Sequence, residues 1–492
     1  MPKFNVVTLG CEKNNVDSEG MSALLTEAGY EQSARPEDSD VLLVNTCAFL
    51  QAAVDESLGE LRALAEKKRD DQVLIAAGCM SQRYSSDIPV WVPGVDGVIS
   101  TRTWPEIVGF VESVRQKRGE ERGAGGEGLD VAETLASGPL SLTLDQSSLT
   151  PRPSLLAPIA GSVAWAPIAP VQPTAQLKRF RRKPKGPGAY VKISEGCDHK
   201  CAFCIIPAIR GKHVSRPIAE IAGEVAELVE QGVKEVVLIA QDSTYYGIDL
   251  GMRDGLARLF DAIVEQAPGI MWIRLMYAYP TQVTPGLIET MARHTQVAKY
   301  LDIPLQHAHP DMLKRMKRPN DVERNRRIIT QLREAMPDIA IRTTFIVGFP
   351  GETDGEFKAL LDFLDEMRFD NVGMFTYSPE KGTPAADMPG QVPEKVKMKR
   401  YREAMLRQQK ISAQKNRRLL GQTLDVLVDG AGTLEDGKGR QVPIYAGRTY
   451  RQAPEVDGMV FVKPPKGKEL ATGDVVKVRI TESTEYDLWG KA

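Results

Sequence analysis

Cysteine is scarce in this chain, with six in 492 residues. Net charge is almost absent too, at −2 from 63 Lys and Arg against 65 Asp and Glu. No apolar run is long enough to span a membrane. The N-terminus, Met-Pro-Lys-Phe-Asn-Val-Val-Thr-Leu-Gly, lacks the apolar core of a signal peptide. The absent span argues against a membrane partner and for a cytoplasmic, reducing location. There an even number of cysteines does not imply a disulfide framework. The near-zero charge excludes a whole-chain electrostatic grip on nucleic acid, although a neutral protein can still carry a local basic patch.

What is present is a long chain with an ordinary globular composition, and its length implies about three domains. Phe4–Leu9, Val41–Val44 and Val73–Ala77 read as buried parallel strands alternating with helical stretches, which predicts an open α/β sheet domain over residues 1–116. Residues 117–188 lose periodicity, becoming rich in Gly, Ser, Pro and Ala and ending near the run Lys178-Arg179-Phe180-Arg181-Arg182-Lys183-Pro184-Lys185, and read as a flexible linker or insertion. Over 189–417 six strand signals, from Tyr190–Ile193 to Asn371–Phe375, alternate with amphipathic stretches such as Ile218–Gln231 and Gly355–Met367. This pattern predicts a complete or partial (β/α) barrel. Residues 421–492 show short β-rich runs broken by Gly, Asp and Pro, as in a small β-barrel.

The six cysteines divide into two sets. Cys11, Cys47 and Cys79 each follow a strand of the first domain. Carboxyl ends of neighbouring parallel strands line one crevice, so these three are expected to meet despite their separation in sequence. Cys197, Cys201 and Cys204 form a C-x3-C-x2-C loop directly after the first barrel strand, at the face where barrel active sites lie. Three thiolates hold three corners of a four-iron, four-sulfur cube and leave one iron open to bind and activate a small molecule, so two [4Fe-4S] clusters are expected. Zinc is the competing reading of the second set, with His199 as a conceivable fourth ligand. No second paired motif closes a zinc ribbon, and His199 reads better as a loop-shaping or solvent-facing residue.

The loop Cys197-Asp198-His199-Lys200-Cys201-Ala202-Phe203-Cys204, with an aromatic residue before the last cysteine, resembles the radical S-adenosylmethionine (SAM) superfamily. That resemblance implies SAM chelated by the open iron and cleaved by one electron to a 5′-deoxyadenosyl radical. It also implies a SAM pocket to which Gln306, Arg342 and Gly348 contribute, the last in Ile346-Val347-Gly348-Phe349-Pro350-Gly351-Glu352. Together, the strand-end cysteines, the barrel and a TRAM-like terminal barrel resemble the methylthiotransferases. In that family the second cluster delivers sulfur, and sulfur and electron donors are required.

Within that family, four segments are similar to the branch that modifies the β-carbon of an aspartate in the twelfth small-subunit ribosomal protein. They are Leu9-Gly10-Cys11-Glu12-Lys13-Asn14-Asn15-Val16-Asp17-Ser18-Glu19, Cys201–Gly211, Gln241-Asp242-Ser243-Thr244-Tyr245-Tyr246-Gly247 and Tyr300–His307. The transfer-RNA adenosine branch, the alternative, typically has Gln-Asn in place of Gln241-Asp242 and Gln-Ser-Gly in place of Gln306-His307-Ala308. Ala48, where glycine is usual, and the 117–188 interval depart from the pattern. Residues 421–492 carry ten Lys and Arg against eleven Asp and Glu, which suits a basic protein substrate better than RNA, while direct RNA contact stays compatible with a local patch.

Overall fold

The computed structural model describes residues 1–123, 164–165, 184, 186–435 and 441–492. The first sheet has six strands in the order Glu31–Gln32, Lys3–Thr8, Val41–Thr46, Val73–Gly78, Gly97–Ser100, Ala164–Trp165, and every pair is parallel. Val41–Thr46 and Val73–Gly78 are buried along their whole length because helices cover both faces, which explains their near-continuous apolar sequence. The helix starting at Ile107 runs to Gly123, beyond residue 116, and most of the 117–188 interval, including nearly all of the basic run, lies outside the described residues.

The second sheet is built from Gly188–Lys192, Glu235–Ile239, Trp272–Leu275, Val297–Asp302, Ala340–Val347 and Asn371–Thr376, each parallel to the next. Its first and last strands do not pair, so the barrel is partial. Ile218–Glu230, Gly255–Gln266, Val322–Ala335 and Asp354–Met367 bury their apolar faces against it in the main core. Thr353 and Glu356 start the last of these helices with a reciprocal capping box.

The terminal domain is a closed five-stranded barrel in the order Thr423–Glu435, Gln441–Arg448, Val460–Lys463, Leu488–Lys491, Val475–Ser483. Its segment 448–457 plugs the amino-terminal end of the partial barrel. Glu235, fully buried, accepts from Arg274 (2.6 Å) and from Arg448, while Arg274 also donates to the Tyr450 carbonyl (2.6 Å). Tyr300 donates to Asp457 (2.7 Å), and Ala453 joins the apolar lining made by Val237, Ile239 and Ala298. Among the described residues no helix is long and apolar enough to cross a membrane.

Candidate active site between two thiol triads

The parallel register sets Thr8 beside Asn45, and Thr46 beside Gly78, so the three strands end together and their cysteines follow at one edge. Gly10, at φ +92°, lies against Cys47. A methyl group there would sit 2.7 Å from Cys47 Cβ, so only glycine allows this approach. The Asn14 amide donates to the carbonyls of Leu9 (2.8 Å) and Thr46 (3.1 Å), and its N–H to the Cys11 carbonyl (2.8 Å), stitching the strand ends together. Cys47 and Cys79 are buried and Cys11 is exposed at the start of helix Glu12–Glu27, which gives the set one open side.

Burial raises the Cys47 thiol and pushes the Cys79 thiol up to about 11. In each case a neighbouring cysteine of the set adds to the rise, so the three thiols lie within electrostatic reach of one another. Arg210 opposes the rise, with Nη2 3.3 Å from Cys79 Sγ.

The second set sits in a loop pinned at both ends. The Cys197 N–H donates to the Gly211 carbonyl (3.0 Å), and the Ala202 N–H to the Met316 carbonyl (2.9 Å). Burial pushes Cys197 up to about 11 and Cys204 up to about 12, with mutual repulsion among the set contributing, while Arg318 approaches Cys201 Sγ at 3.8 Å. His199 is loop-shaping rather than solvent-facing. Its ring stacks on Tyr279 at 3.7 Å and its Nε2 bonds Asp242 (2.7 Å).

Both sets offer free thiols, all but the exposed Cys11 partly or fully buried, with a guanidinium beside one thiol of each, which is donor chemistry that suits an iron–sulfur cube.

The helix Ile206–Arg210 joins the two sets. It starts two residues after Cys204, and its last residue touches Cys79. The helix thus links the loop of the second set to a thiol of the first over one short element, with a crevice between them. The crevice is lined with buried charge. Arg210 also donates to Asn14 (2.8 Å), to Asp17 (3.3 Å) and to Glu195 (2.8 Å), and Lys192 pairs with Asp17 and with Glu195 (2.6 Å).

Burial alone would raise the Glu195 carboxyl, but Arg210 and Lys192 override it and bring it down to about 2. A depressed carboxyl stabilises the fold fully above its ordinary value of 4.5, and that contribution fades as pH falls toward 2. Acid titration should therefore loosen helix Ile206–Arg210 from the strand end at Lys192 and Glu195 between about pH 4.5 and 2. Proteolysis or hydrogen exchange at helix Ile206–Arg210 checks this, and protection unchanged across that window contradicts it.

Gln306 stands at the carboxyl end of the barrel in a left-handed conformation (φ +72°), tied on both sides to the strand Ala340–Val347 through Thr344 and Ile346 (2.8 Å each). Such a backbone is disfavoured for glutamine, a strain that accumulates at binding sites. Gly348 is also at the barrel mouth (φ +72°). Its N–H donates to Glu352 (2.6 Å), and a methyl group there would collide with Lys397 at 2.3 Å.

The Arg342 guanidinium pairs with Asp302 (3.0 Å) and Asp457 (3.5 Å), which ties the barrel to the terminal domain. Sequence reasoning missed Lys192, Glu195 and Arg210; the first-domain partners of Lys192 and Arg210 lie far away along the chain.

A family model described as the radical SAM superfamily matches residues 191–364, one described as uncharacterized protein family UPF0004 matches 3–100, and one described as the TRAM domain matches 420–492. Among solved structures, the radical S-adenosylmethionine methyltransferase TsrM from Kitasatospora setae, with cobalamin and a [4Fe-4S] cluster bound, aligns over 89% of this chain and 81% of its own at a TM-score of 0.51. At 13% identity the likeness concerns the fold alone. Proteins named ribosomal protein uS12 methylthiotransferase RimO are far more similar in sequence. The one from Roseiflexus sp. (strain RS-1) is 46% identical over 99% of this chain and 97% of its own length, and that from Chloroflexus aurantiacus is 44% identical over 100% and 99%. These matches run through the 117–188 interval, which is therefore not a departure from these relatives. With three domain models in this order and such identity along its whole length, the chain belongs to the RimO family of radical SAM methylthiotransferases.

Proposed function

We propose that this protein inserts a methylthio group at the β-carbon of an aspartate in ribosomal protein uS12. The observation that carries the proposal is the helix Ile206–Arg210, which brings a strand-end thiol of the first domain to the mouth of the barrel that holds the second triad. Residues 1–116 would serve sulfur delivery, 189–417 radical generation and 421–492 substrate docking. Cys197, Cys201 and Cys204 would hold one [4Fe-4S] cluster and Cys11, Cys47 and Cys79 another. When bound, SAM and these clusters would supply the radical that removes hydrogen from unactivated carbon and the sulfur that replaces it.

The chain's own residues supply orientation and shelter. Gln306 and the Gly348 turn would form the edge of the SAM pocket. Arg318, lying 3.9 Å over the Tyr279 ring beside Cys201, would steady the loop of the second triad, and the buried Lys192–Asp17–Arg210–Glu195 set would hold the two triads in fixed relation. An electron donor and a sulfur donor are needed, and the cytoplasm supplies the ribosomal substrate. Mass spectrometry of uS12 from cells with and without this gene tests the reading. Loss of methylthio-aspartate on deletion is expected, with bulk tRNA nucleosides unchanged, whereas an unaltered level would refute it.

The outer face of the terminal barrel is a place for RNA contact when the substrate is ribosome-bound. Phe461 and Trp489 stack at 5.1 Å, and the strand register places Lys463 beside Lys491 and Arg479 beside Lys491. An aromatic pair flanked by cations suits bases and phosphates. Replacing Lys463 and Lys491 by alanine should reduce the slope of log affinity for the small subunit against log salt by about 1.5 to 2. An unchanged slope removes RNA from this face.

A further inference from the structure

Among the described residues, one buried lysine of the crevice makes no ion pair. Lys13, two residues after Cys11, is 7% exposed, yet among the described residues no carboxylate lies within ion-pairing distance of its Nζ. The acids near it are all engaged. Glu12 accepts the Tyr277 hydroxyl (2.8 Å), and Asp302 accepts the Tyr277 N–H (3.0 Å) and Arg342 (3.0 Å). Asp17 accepts Arg210 (3.3 Å) and Lys192.

The Lys13 ammonium rests instead on the face of the Tyr277 ring, 3.1 Å from its centre. A ring face offsets only part of the cost of burying an ammonium. Tyr277 is itself held at φ +63°, a conformation disfavoured for a bulky side chain, two residues beyond the strand Trp272–Leu275. The strained tyrosine thus presents a platform from the barrel mouth to a lysine on the cysteine edge of the first domain.

The other cations of the crevice are spent. Arg210 and Lys192 hold Asp17 and Glu195, Arg342 holds Asp302 and Asp457, and Arg318 donates to the Pro304 carbonyl and approaches Cys201. A substrate carbon one bond from a carboxylate, presented between two thiol triads, brings a negative charge into this low-dielectric space, where only an unpaired cation can receive it.

We propose that Lys13 binds the side-chain carboxylate of the target aspartate and so selects aspartate over its neutral isostere. Tyr277 is the positioning residue that holds the ammonium. The inference rests on the reading that the substrate is an aspartate of uS12.

The test uses full-length, reconstituted protein under anaerobic conditions and recombinant uS12 carrying either the target aspartate or asparagine in its place. Binding and iron content are both measured. Wild type is expected to prefer the aspartate form. Lys13→Met should weaken that complex by at least about tenfold and change the asparagine complex by less than about threefold, with Lys13→Arg recovering part of the preference. Tyr277→Leu, which removes the ring face along with the hydrogen bond to Glu12, should weaken only the aspartate complex, by about threefold or more. If both Lys13→Met and Tyr277→Leu retain iron and the full preference for aspartate, the assignment of Lys13 is overturned. If wild type neither prefers nor modifies aspartate-bearing uS12, the functional reading itself fails, and the Lys13 assignment with it.

Discussion

Replacing Cys201 by alanine should abolish SAM cleavage and methylthiolation together, whereas replacing Cys47 should block methylthiolation and spare part of the SAM cleavage. The asymmetry follows from where each thiol sits. Cys201 occupies the loop at the barrel mouth, 3.8 Å from Arg318 and beside the His199–Tyr279 stack, where SAM is expected. Cys47 lies on the first domain, its N–H held by Ser57 (3.0 Å) and its side chain packed against Gly10. These two contacts lie within the first domain, so loss of the thiol should leave the loop of the second triad intact. Anaerobic turnover of each variant, with 5′-deoxyadenosine and modified uS12 quantified from one reaction, reads both activities. Cys201→Ala should give neither product above background. Cys47→Ala should give 5′-deoxyadenosine and no modified protein. Equal loss of both products in Cys47→Ala would mean that the two triads do not divide the work.

Much of this arrangement was legible in the chain because the signals were local. Glu235–Ile239 and Trp272–Leu275 are strands over the expected residues, since a buried parallel strand is a short apolar run with little else to mistake it for. The cysteines at strand ends followed from the rule that neighbouring carboxyl ends share a crevice. The terminal barrel was legible as a class, yet two of its strands, Gln441–Arg448 and Leu488–Lys491, were not anticipated. The first is interrupted by Pro443 and Gly447, and the second is only four residues long.

The charged crevice was not legible at all. Arg210 is 196 residues from Asn14 and 131 from Cys79, and no pattern of spacing announces such pairings. The pairing of Arg342 was hidden for a related reason. Its position in a strand was clear, but its partner Asp457 arrives from the terminal domain, 115 residues away, and claims the side chain.

Arg210→Met should detach the first domain from the barrel. The guanidinium makes four contacts at once, with Glu195 (2.8 Å), Asn14 (2.8 Å), Asp17 (3.3 Å) and Cys79 (3.3 Å), and it is 4% exposed. Methionine fills the space but supplies no charge. Asp17 and Glu195 would then share only Lys192, and one carboxylate would be left buried without its cation. Removing one partner of a buried pair costs about 3–5 kcal/mol, far more than an exposed pair would. Apolar contacts between Ile205, Ile209 and the core of the first domain would remain, so the domains should lose affinity rather than their individual folds. Denaturant unfolding should therefore show an early transition in the variant, ahead of that of the barrel. Arg210→Lys should recover only a minor part, because a point charge cannot reach Glu195, Asp17 and Asn14 together as the planar fork does. A variant that unfolds within about 0.5 kcal/mol of the parent, the scatter of a neutral surface change, would place the cohesion of the two domains in those isoleucines instead.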